Sequence, residues 1–150
     1  MLKILVVYKS LSGNTKKIAE AIADGATAKC LRVDEVKESD LANVEIIFLG
    51  SGIYMGRHHR QIVDFSDKFN PSIKVYIFST AGVPLLRPVW HKWLRQKLTK
   101  NKIKILGETC FTGFDTFGPL RWFAGINQGR PDEDDLRKAR GLGASFSPTG

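Results

Sequence analysis

Short apolar runs alternate with segments of helical spacing along most of the chain. The runs are rich in branched residues and mostly continuous, which is typical of strands buried on both faces of a parallel sheet. They are Leu2–Tyr8, Lys29–Val33, Val44–Leu49, Ile73–Phe78 and Ile103–Cys110. Apolar stripes between them predict helices, and a last helix is predicted from Pro131, followed by four acidic residues. The alternation predicts five parallel strands with helices on both faces.

The length and composition indicate one domain. With 150 residues, 43% of them hydrophobic, the chain can bury one core and is too short to make two domains the natural reading. We expect a folded domain over residues 1–140 and a flexible tail over 141–150, which is rich in Gly, Ser and Pro. No apolar run reaches the roughly 18 residues that a membrane span needs, so a cytoplasmic location is expected.

Positive charge is concentrated in one segment. The chain has 23 Lys and Arg against 15 Asp and Glu, a net charge of +8, and residues 87–104 contain no acidic residue. This segment is either a solvated helical face or a docking surface for an acidic partner, whose binding would weaken as salt rises. No nucleic-acid-binding motif accompanies the charge, so a nucleic-acid partner is not expected.

Small hydrogen-bonding residues cluster where the first strand gives way to the first helix. Ser10, Ser12, Asn14 and Thr15 offer side-chain donors, and Gly13 lets the backbone approach a ligand closely. Free N–H groups and the helix dipole favour an anion there. An ordinary helix cap is the alternative. The nucleotide motifs GxxxxGK[ST] and GxGxxG are absent at this position, so the sequence favours a monophosphate.

The segment S-x-S-G-N-T after LKILVVY resembles the FMN-phosphate loop of the flavodoxin family. In that family, loops after the third and fourth strands flank the isoalloxazine ring; GSGIYMG (50–56) and STAGVP (79–84) occupy those places here. The resemblance implies a three-layer, doubly wound α/β fold with strand order 2-1-3-4-5 and FMN as cofactor. The implied FMN-binding residues are Ser10, Leu11, Ser12, Gly13, Asn14, Thr15, Ser51, Gly52, Ile53, Tyr54, Met55, Gly56, Ser79, Thr80, Ala81 and Gly82.

The resemblance also assigns roles around the flavin ring. A peptide carbonyl in the loop after the third strand would rotate toward flavin N5, which Gly50, Gly52 and Gly56 would ease by tolerating positive φ. Tyr54 would stack on the ring; a glycine-rich turn with a buried tyrosine is the alternative. No aromatic residue lies in Ala81–Val83, so one ring face is either open or covered by another segment.

An aromatic segment follows the fifth strand. Phe111 to Phe123 holds Phe111, Phe114, Phe117, Trp122 and Phe123, which either cover the flavin or pack against the sheet edge. Together with GINQGRPDEDD, the segment resembles a group of small flavodoxin-like proteins. The stretch GSGIYMGRHHRQI is similar to flavodoxin-like protoporphyrinogen oxidases.

The remaining chemistry-bearing residues carry less weight. His58 and His59 lie between Arg57 and Arg60, which disfavours a cation site but is compatible with an anionic substrate. The two cysteines are predicted in opposite edge strands, too far apart for a disulfide. No Ser-His-Asp or Cys-His arrangement is evident in the sequence.

Three functions follow from this sequence. The first is an FMN-binding redox protein that transfers electrons between protein partners, with no catalytic side chain of its own. The second is an FMN-dependent oxidoreductase acting on a quinone-like or protoporphyrinogen-like small molecule. The third is a flavin-free interaction module that uses the basic helix.

Overall fold

The computed structural model describes residues 2–113 and 129–147. The strands are β1 Ile4–Lys9, β2 Lys29–Arg32, β3 Ile46–Tyr54, β4 Arg57–His58, β5 Lys74–Ala81 and β6 Lys104–Thr112. The helices are α1 Asn14–Ala26, α2 Arg60–Phe65, α3 Arg87–Trp90, α4 Lys92–Lys100 and α5 Glu133–Ala144. Short 3-10 turns occupy Val33–Glu35, Glu38–Leu41, Ser66–Lys68 and Pro84–Leu86.

Five strands form a parallel sheet in the order β2-β1-β3-β5-β6. Counted along the chain, these are the five predicted strands, so the predicted order 2-1-3-4-5 is confirmed. The sequence pattern did not predict β4, a two-residue strand that pairs antiparallel with the end of β3. The strand order reverses between β1 and β3, which places the ends of β1, β3 and β5 side by side.

Helices cover both faces of the sheet, as predicted. Side chains alternate along each strand, so Leu5 and Val7 of β1 join the core under α2 and α4, whereas Val6 joins the core under α1 and α5. Each fully buried aliphatic or aromatic side chain contributes about 1.5–3 kcal/mol. The two cores hold the carboxyl ends of the strands in fixed relation. None of the helices within the described ranges has the length and apolar character to cross a membrane.

The predicted strand ends fall short of the observed ones. Strand β3 was predicted to end at Leu49 but runs on to Tyr54, because Gly50 and Gly52 pair with Phe78 and Thr80 of β5. The seven-residue loop predicted at 50–56 is therefore wrong, since only a two-residue turn separates β3 from β4. Similarly, β5 continues to Ala81 and β6 to Thr112. Small and polar residues end an apolar run without ending a strand.

The last helix is longer than predicted. Helix α5 ends at Ala144, so the prediction of a flexible tail is wrong for residues 141–144. Helix packing accounts for the difference, because a Cβ atom on Gly143 would lie 2.0 Å from the Ile22 carbonyl oxygen of α1. Only glycine permits this close contact, which offsets its poor helix propensity. Beyond the helix, the Phe146 ring packs edge-on against Phe48 at 5.3 Å.

Candidate functional site

The loop between β1 and α1 ends in a left-handed glycine. Gly13 is the N-cap of α1, with φ 91° and ψ −10°, and a Cβ atom there would meet nothing within 4 Å. Glycine is therefore required for its conformation and not for space. The Gly13 N–H donates to Ser10 Oγ at 2.9 Å, and within residues 2–113 and 129–147 no side-chain hydrogen bond caps the helix at Gly13. The first turn of α1 also carries no acidic residue. This end of the helix is suited to an external anion.

Side-chain hydrogen bonds join the three predicted segments. The Leu11 N–H donates to the Tyr54 hydroxyl at 3.1 Å, which ties the loop after β1 to the end of β3. The hydroxyls of Thr15 and Thr80 are 2.8 Å apart in a buried contact, which ties α1 to β5. A small cleft of ≈ 20 Å³ lies between the segments. It is lined by Ser12, Asn14, Gly52, Ile53, Tyr54, Thr80, Ala81 and Gly113. The structure therefore brings residues from all three predicted segments to one place.

Both residues of the turn between β3 and β4 have positive φ angles. Met55 has φ 53° and Gly56 has φ 80°, the pair of left-handed residues that a tight two-residue hairpin uses. Gly50 and Gly52 are extended within β3, so Gly56 is the one of the three glycines in this segment that has a positive φ. A Cβ atom on Gly50 would lie 2.4 Å from the Phe78 carbonyl oxygen, so close strand packing requires that glycine. Gly56 has a positive φ and is therefore the glycine at which the predicted peptide rotation would meet no steric penalty.

A buried relay of polar side chains links β5 to β6, and no pattern in the sequence predicts it. His91 Nε2 is 2.6 Å from Ser79 Oγ, and His91 Nδ1 is 2.9 Å from Glu108 Oε1. Burial and the charges of Arg87 and Arg95 lower the pKa of His91 to about 3, so the imidazole is neutral at pH 7. A carboxylate only accepts, so Nδ1–H donates to Glu108 and Nε2 accepts from the Ser79 hydroxyl.

Ser79, His91 and Glu108 are hydrogen-bonded in the order of a hydrolytic triad, but the serine is not accessible to a substrate. Ser79 and His91 are both 0% exposed, so a substrate has no route to the Ser79 hydroxyl. Arg95 Nη1 donates to the same Glu108 oxygen at 2.9 Å, which completes the charge balance of the carboxylate. We read the relay as a structural link that fixes the end of β5 against α4 and β6.

The two adjacent histidines have different environments. His58 is buried, its Nε2 lies 3.0 Å from the Phe78 carbonyl oxygen, and its ring centroid is 4.7 Å from that of His91. Burial, followed by the neighbouring His91, lowers the pKa of His58 to about 3. His59 Nδ1 accepts from the Gln61 N–H at 3.0 Å and so caps α2. The described ranges contain no group of three potential metal ligands.

The remaining predicted residues fall into three groups. Ser51 is buried, donates to the Gly52 carbonyl at 2.7 Å and accepts from the His59 N–H, which braces the hairpin. Phe111 is buried in β6 under α1 and α5, whereas residues 114–123 of the aromatic segment lie outside the described ranges. Cys30 in β2 and Cys110 in β6 are unpaired thiols at opposite edges of the sheet.

Comparison with known proteins assigns the family. A family model described as a flavodoxin domain matches residues 5–116, which include all three segments of the cleft. The chain belongs to the flavodoxin family. FMN is the cofactor of flavodoxins, and the left-handed Gly13 and uncapped first turn of α1 fit its phosphate.

Relatives of this flavodoxin cover different shares of its length. An uncharacterized protein of Methanocaldococcus jannaschii is 43% identical over 147 residues, covering 97% of this chain and 98% of that protein. A flavodoxin of Aquifex aeolicus is 37% identical over 60 residues, covering 36% of this chain and 32% of that protein. A solved flavodoxin from the domain Archaea superposes with a TM-score of 0.67 at 19% identity, covering 99% of this chain and 98% of that one. The last comparison concerns the fold alone.

Proposed function

We propose that this flavodoxin is an electron carrier that passes electrons between protein partners. The observation that supports this most strongly is the convergence of three segments around the α1 N-terminus, with Gly13 in the conformation that exposes first-turn N–H groups. The flavin supplies the redox chemistry when bound. The chain binds the cofactor, positions it and presents its edge to a partner.

The phosphate would bind at residues 10–15. The N–H groups of the first turn of α1 donate to it, and the positive end of the helix dipole stabilises its negative charge. Ser12 and Asn14 line the cleft and add side-chain donors. Thr15 is buried against Thr80 and acts through its position, since its hydroxyl is already hydrogen-bonded inside the protein.

The ring would lie across the mouth of the cleft, between the β3–β4 turn and the end of β5. The cleft itself is too small to enclose a tricyclic ring. Tyr54 stands beside it, with its hydroxyl on the Leu11 N–H. The peptide between Met55 and Gly56 is the one with the backbone freedom to present a carbonyl to the ring.

An exposed apolar rim near this mouth supports protein docking. Leu11, Met55 and Leu85 are 58, 80 and 92% exposed, at the ends of β1, β3 and β5 respectively. Exposed apolar side chains grouped at one edge mark contact surfaces. The segment after β5 is basic, with no acidic residue over 87–104, so we propose a partner of net negative charge.

A stopped-flow experiment tests this proposal. The flavin-loaded protein is mixed with a reduced acidic ferredoxin, and the loss of the flavin absorption bands is followed between 0.05 and 0.5 M NaCl. Because opposite charges steer the encounter, we expect the second-order rate to fall about tenfold or more over that range. A rate that is flat or rises with salt would contradict an acidic partner.

Two leucines provide a matched comparison. Leu85→Ser removes the most exposed apolar side chain of the rim, whereas Leu2→Ser changes a 42% exposed leucine that precedes β1, away from the cleft. We expect only the first to slow electron transfer. Equal rates for both variants, together with direct two-electron reduction of the flavin by NADH or NADPH, would favour the oxidoreductase instead.

A further inference from the structure

A second, larger cavity shares no lining residue with the cleft. Its volume is ≈ 500 Å³, which is within the range of small-molecule sites. Residues of β4, α2 and α4 line it. The side chains that give it its chemistry are Arg57, Arg60, Lys97, Lys100, Val63 and Trp93. None of the predicted flavin-binding residues lines it.

The cavity carries uncompensated positive charge. Arg60 Nε is 3.5 Å from Asp64 Oδ2, and Lys97 Nζ is 3.0 Å from Asp67 Oδ2, so two of its four cations are paired. Arg57 and Lys100 have no carboxylate within 4 Å among residues 2–113 and 129–147. No acidic side chain of the described chain lines the cavity. Arg57 and Lys100 therefore form no ion pair within the described ranges, although the charge of Lys100 also acts on Asp67.

The wall between these charges is apolar and aromatic. Trp93 is 53% exposed although it is the largest apolar side chain on α4, and the Arg57 guanidinium lies 5.7 Å from the centroid of its ring. Val63 of α2 faces the same space. An exposed indole beside two cations that form no ion pair suits a flat ring that carries negative charge, because stacking and charge pairing then act on one ligand.

His58 completes the wall and adds a polar acceptor. Among the described residues that line the cavity, it alone is fully buried. Its Nε2 is engaged by the Phe78 carbonyl, and its Nδ1 is the one buried side-chain polar atom within the described ranges that has no hydrogen-bond partner. Because Nε2–H donates to that carbonyl, the neutral ring can only accept a hydrogen bond at Nδ1, which a water or a ligand O–H can supply and a carboxylate cannot. His58 therefore forms part of the wall without binding the negative groups of a ligand.

We propose that the cavity between α2 and α4 is a binding site for an aromatic dicarboxylate or a similarly flat dianion. Arg57 and Lys100 bind its two negative groups, and Trp93 stacks on its ring. The site is separate from the flavin cleft and does not depend on flavin occupancy. Through β4 it adjoins the turn at Met55 and Gly56, since Tyr54 and Arg57 are paired across the hairpin.

Isothermal titration calorimetry on the protein saturated with FMN tests the site, with naphthalene-2,6-dicarboxylate as the probe. We expect saturable binding of one equivalent, at least about tenfold tighter than that of neutral naphthalene-2,6-dimethanol. Aliphatic adipate should likewise bind at least about tenfold more weakly, because it cannot stack. Raising NaCl from 50 to 500 mM should weaken binding of the dicarboxylate.

Charge-matched variants locate the site. We expect Arg57→Gln and Lys100→Gln each to weaken binding about fivefold. Lys74→Gln, which removes one charge from an exposed residue at the start of β5, should change it less than twofold. The proposal is overturned if no saturable heat appears at millimolar probe, if the neutral diol binds as tightly, or if Lys74→Gln has the same effect as the cavity variants. Competition between the probe and FMN would place the ligand in the flavin cleft and would also overturn it.

Discussion

Replacing Gly13 with alanine tests the link between loop conformation and cofactor binding. Gly13 has φ 91°, a conformation that glycine adopts freely and other L-residues avoid. A Cβ atom there would meet nothing within 4 Å, so the substitution introduces conformational strain without a clash. Its effect should come almost entirely from the backbone.

The size of the effect follows from that strain. An L-residue held in the left-handed region costs about 1–2 kcal/mol. Without ligand, the Gly13→Ala loop can relax out of this conformation, which turns the first-turn N–H groups of α1 away from the phosphate position. Binding FMN must then restore the strained form. We expect the FMN dissociation constant to rise about 5- to 30-fold, since 1.4 kcal/mol corresponds to a factor of ten.

Fluorescence titration of the apoprotein with FMN and with riboflavin measures this effect. Riboflavin lacks the phosphate, so its affinity should change little in Gly13→Ala. Gly129→Ala is the matched control, because Gly129 has φ 86° and nothing within 4 Å of its Cβ position but lies outside the three cleft segments. We expect Gly129→Ala to lower the free energy of unfolding by about 1–2 kcal/mol, which is the strain of an L-residue in this conformation, and to leave the FMN affinity unchanged.

One outcome would refute the reasoning. If Gly13→Ala lowers stability as much as Gly129→Ala does and leaves the FMN dissociation constant unchanged, the protein alone fixes the loop conformation. The inference that the left-handed Gly13 serves phosphate binding would then be wrong.

Two further predictions concern stability. Gly143→Ala should lower the free energy of unfolding by about 1–3 kcal/mol, because its Cβ would lie 2.0 Å from the Ile22 carbonyl oxygen. Gly141→Ala should raise the free energy of unfolding by about 0.5–1 kcal/mol, because its Cβ would meet nothing within 4 Å and alanine favours a helix. Urea denaturation measures both changes, and equal effects of the two variants would contradict the packing account. His58 and His91 have pKa values of about 3 in the folded protein against 6.5 in the unfolded chain, so between pH 3 and pH 6.5 the unfolded state binds more protons. The free energy of unfolding should therefore fall by up to about 1.4 kcal/mol per pH unit for each histidine as the pH drops below 6.5. His58→Gln should reduce that slope by about half, and an unchanged slope would show that His58 does not titrate on unfolding.

The hydrophobic pattern was sufficient to predict the sheet. The central strands β1, β3 and β5 coincide with nearly continuous apolar runs, because strands buried on both faces must be apolar almost throughout. The edge strands β2 and β6 are only partly buried, and their runs are more mixed. Their ends were not predictable in the same way. Gly50 to Gly52 continue β3 through backbone pairing with β5, which composition does not record. Strand β4 was missed since Arg57 and His58 carry no apolar signal at all.

The site was predictable where chemistry is local in sequence and not where it depends on tertiary contacts. The residues from Ser10 to Thr15 lie together in the chain, so their clustering at a helix start was visible directly. The relay of Ser79, His91 and Glu108 joins residues 12 and 17 positions apart on three elements. Its geometry depends on the length of the connection after β5 and on the pairing of β5 with β6, neither of which a pattern of residue types specifies.

Calorimetric titration of the apoprotein with FMN and riboflavin tests the central claim most directly. Two or more charge-assisted hydrogen bonds from the α1 N-terminus to the phosphate should make FMN bind at least about 100-fold more tightly than riboflavin, at one equivalent per chain. Equal affinities for the two flavins, or no binding of either, would contradict a phosphate site at the start of α1.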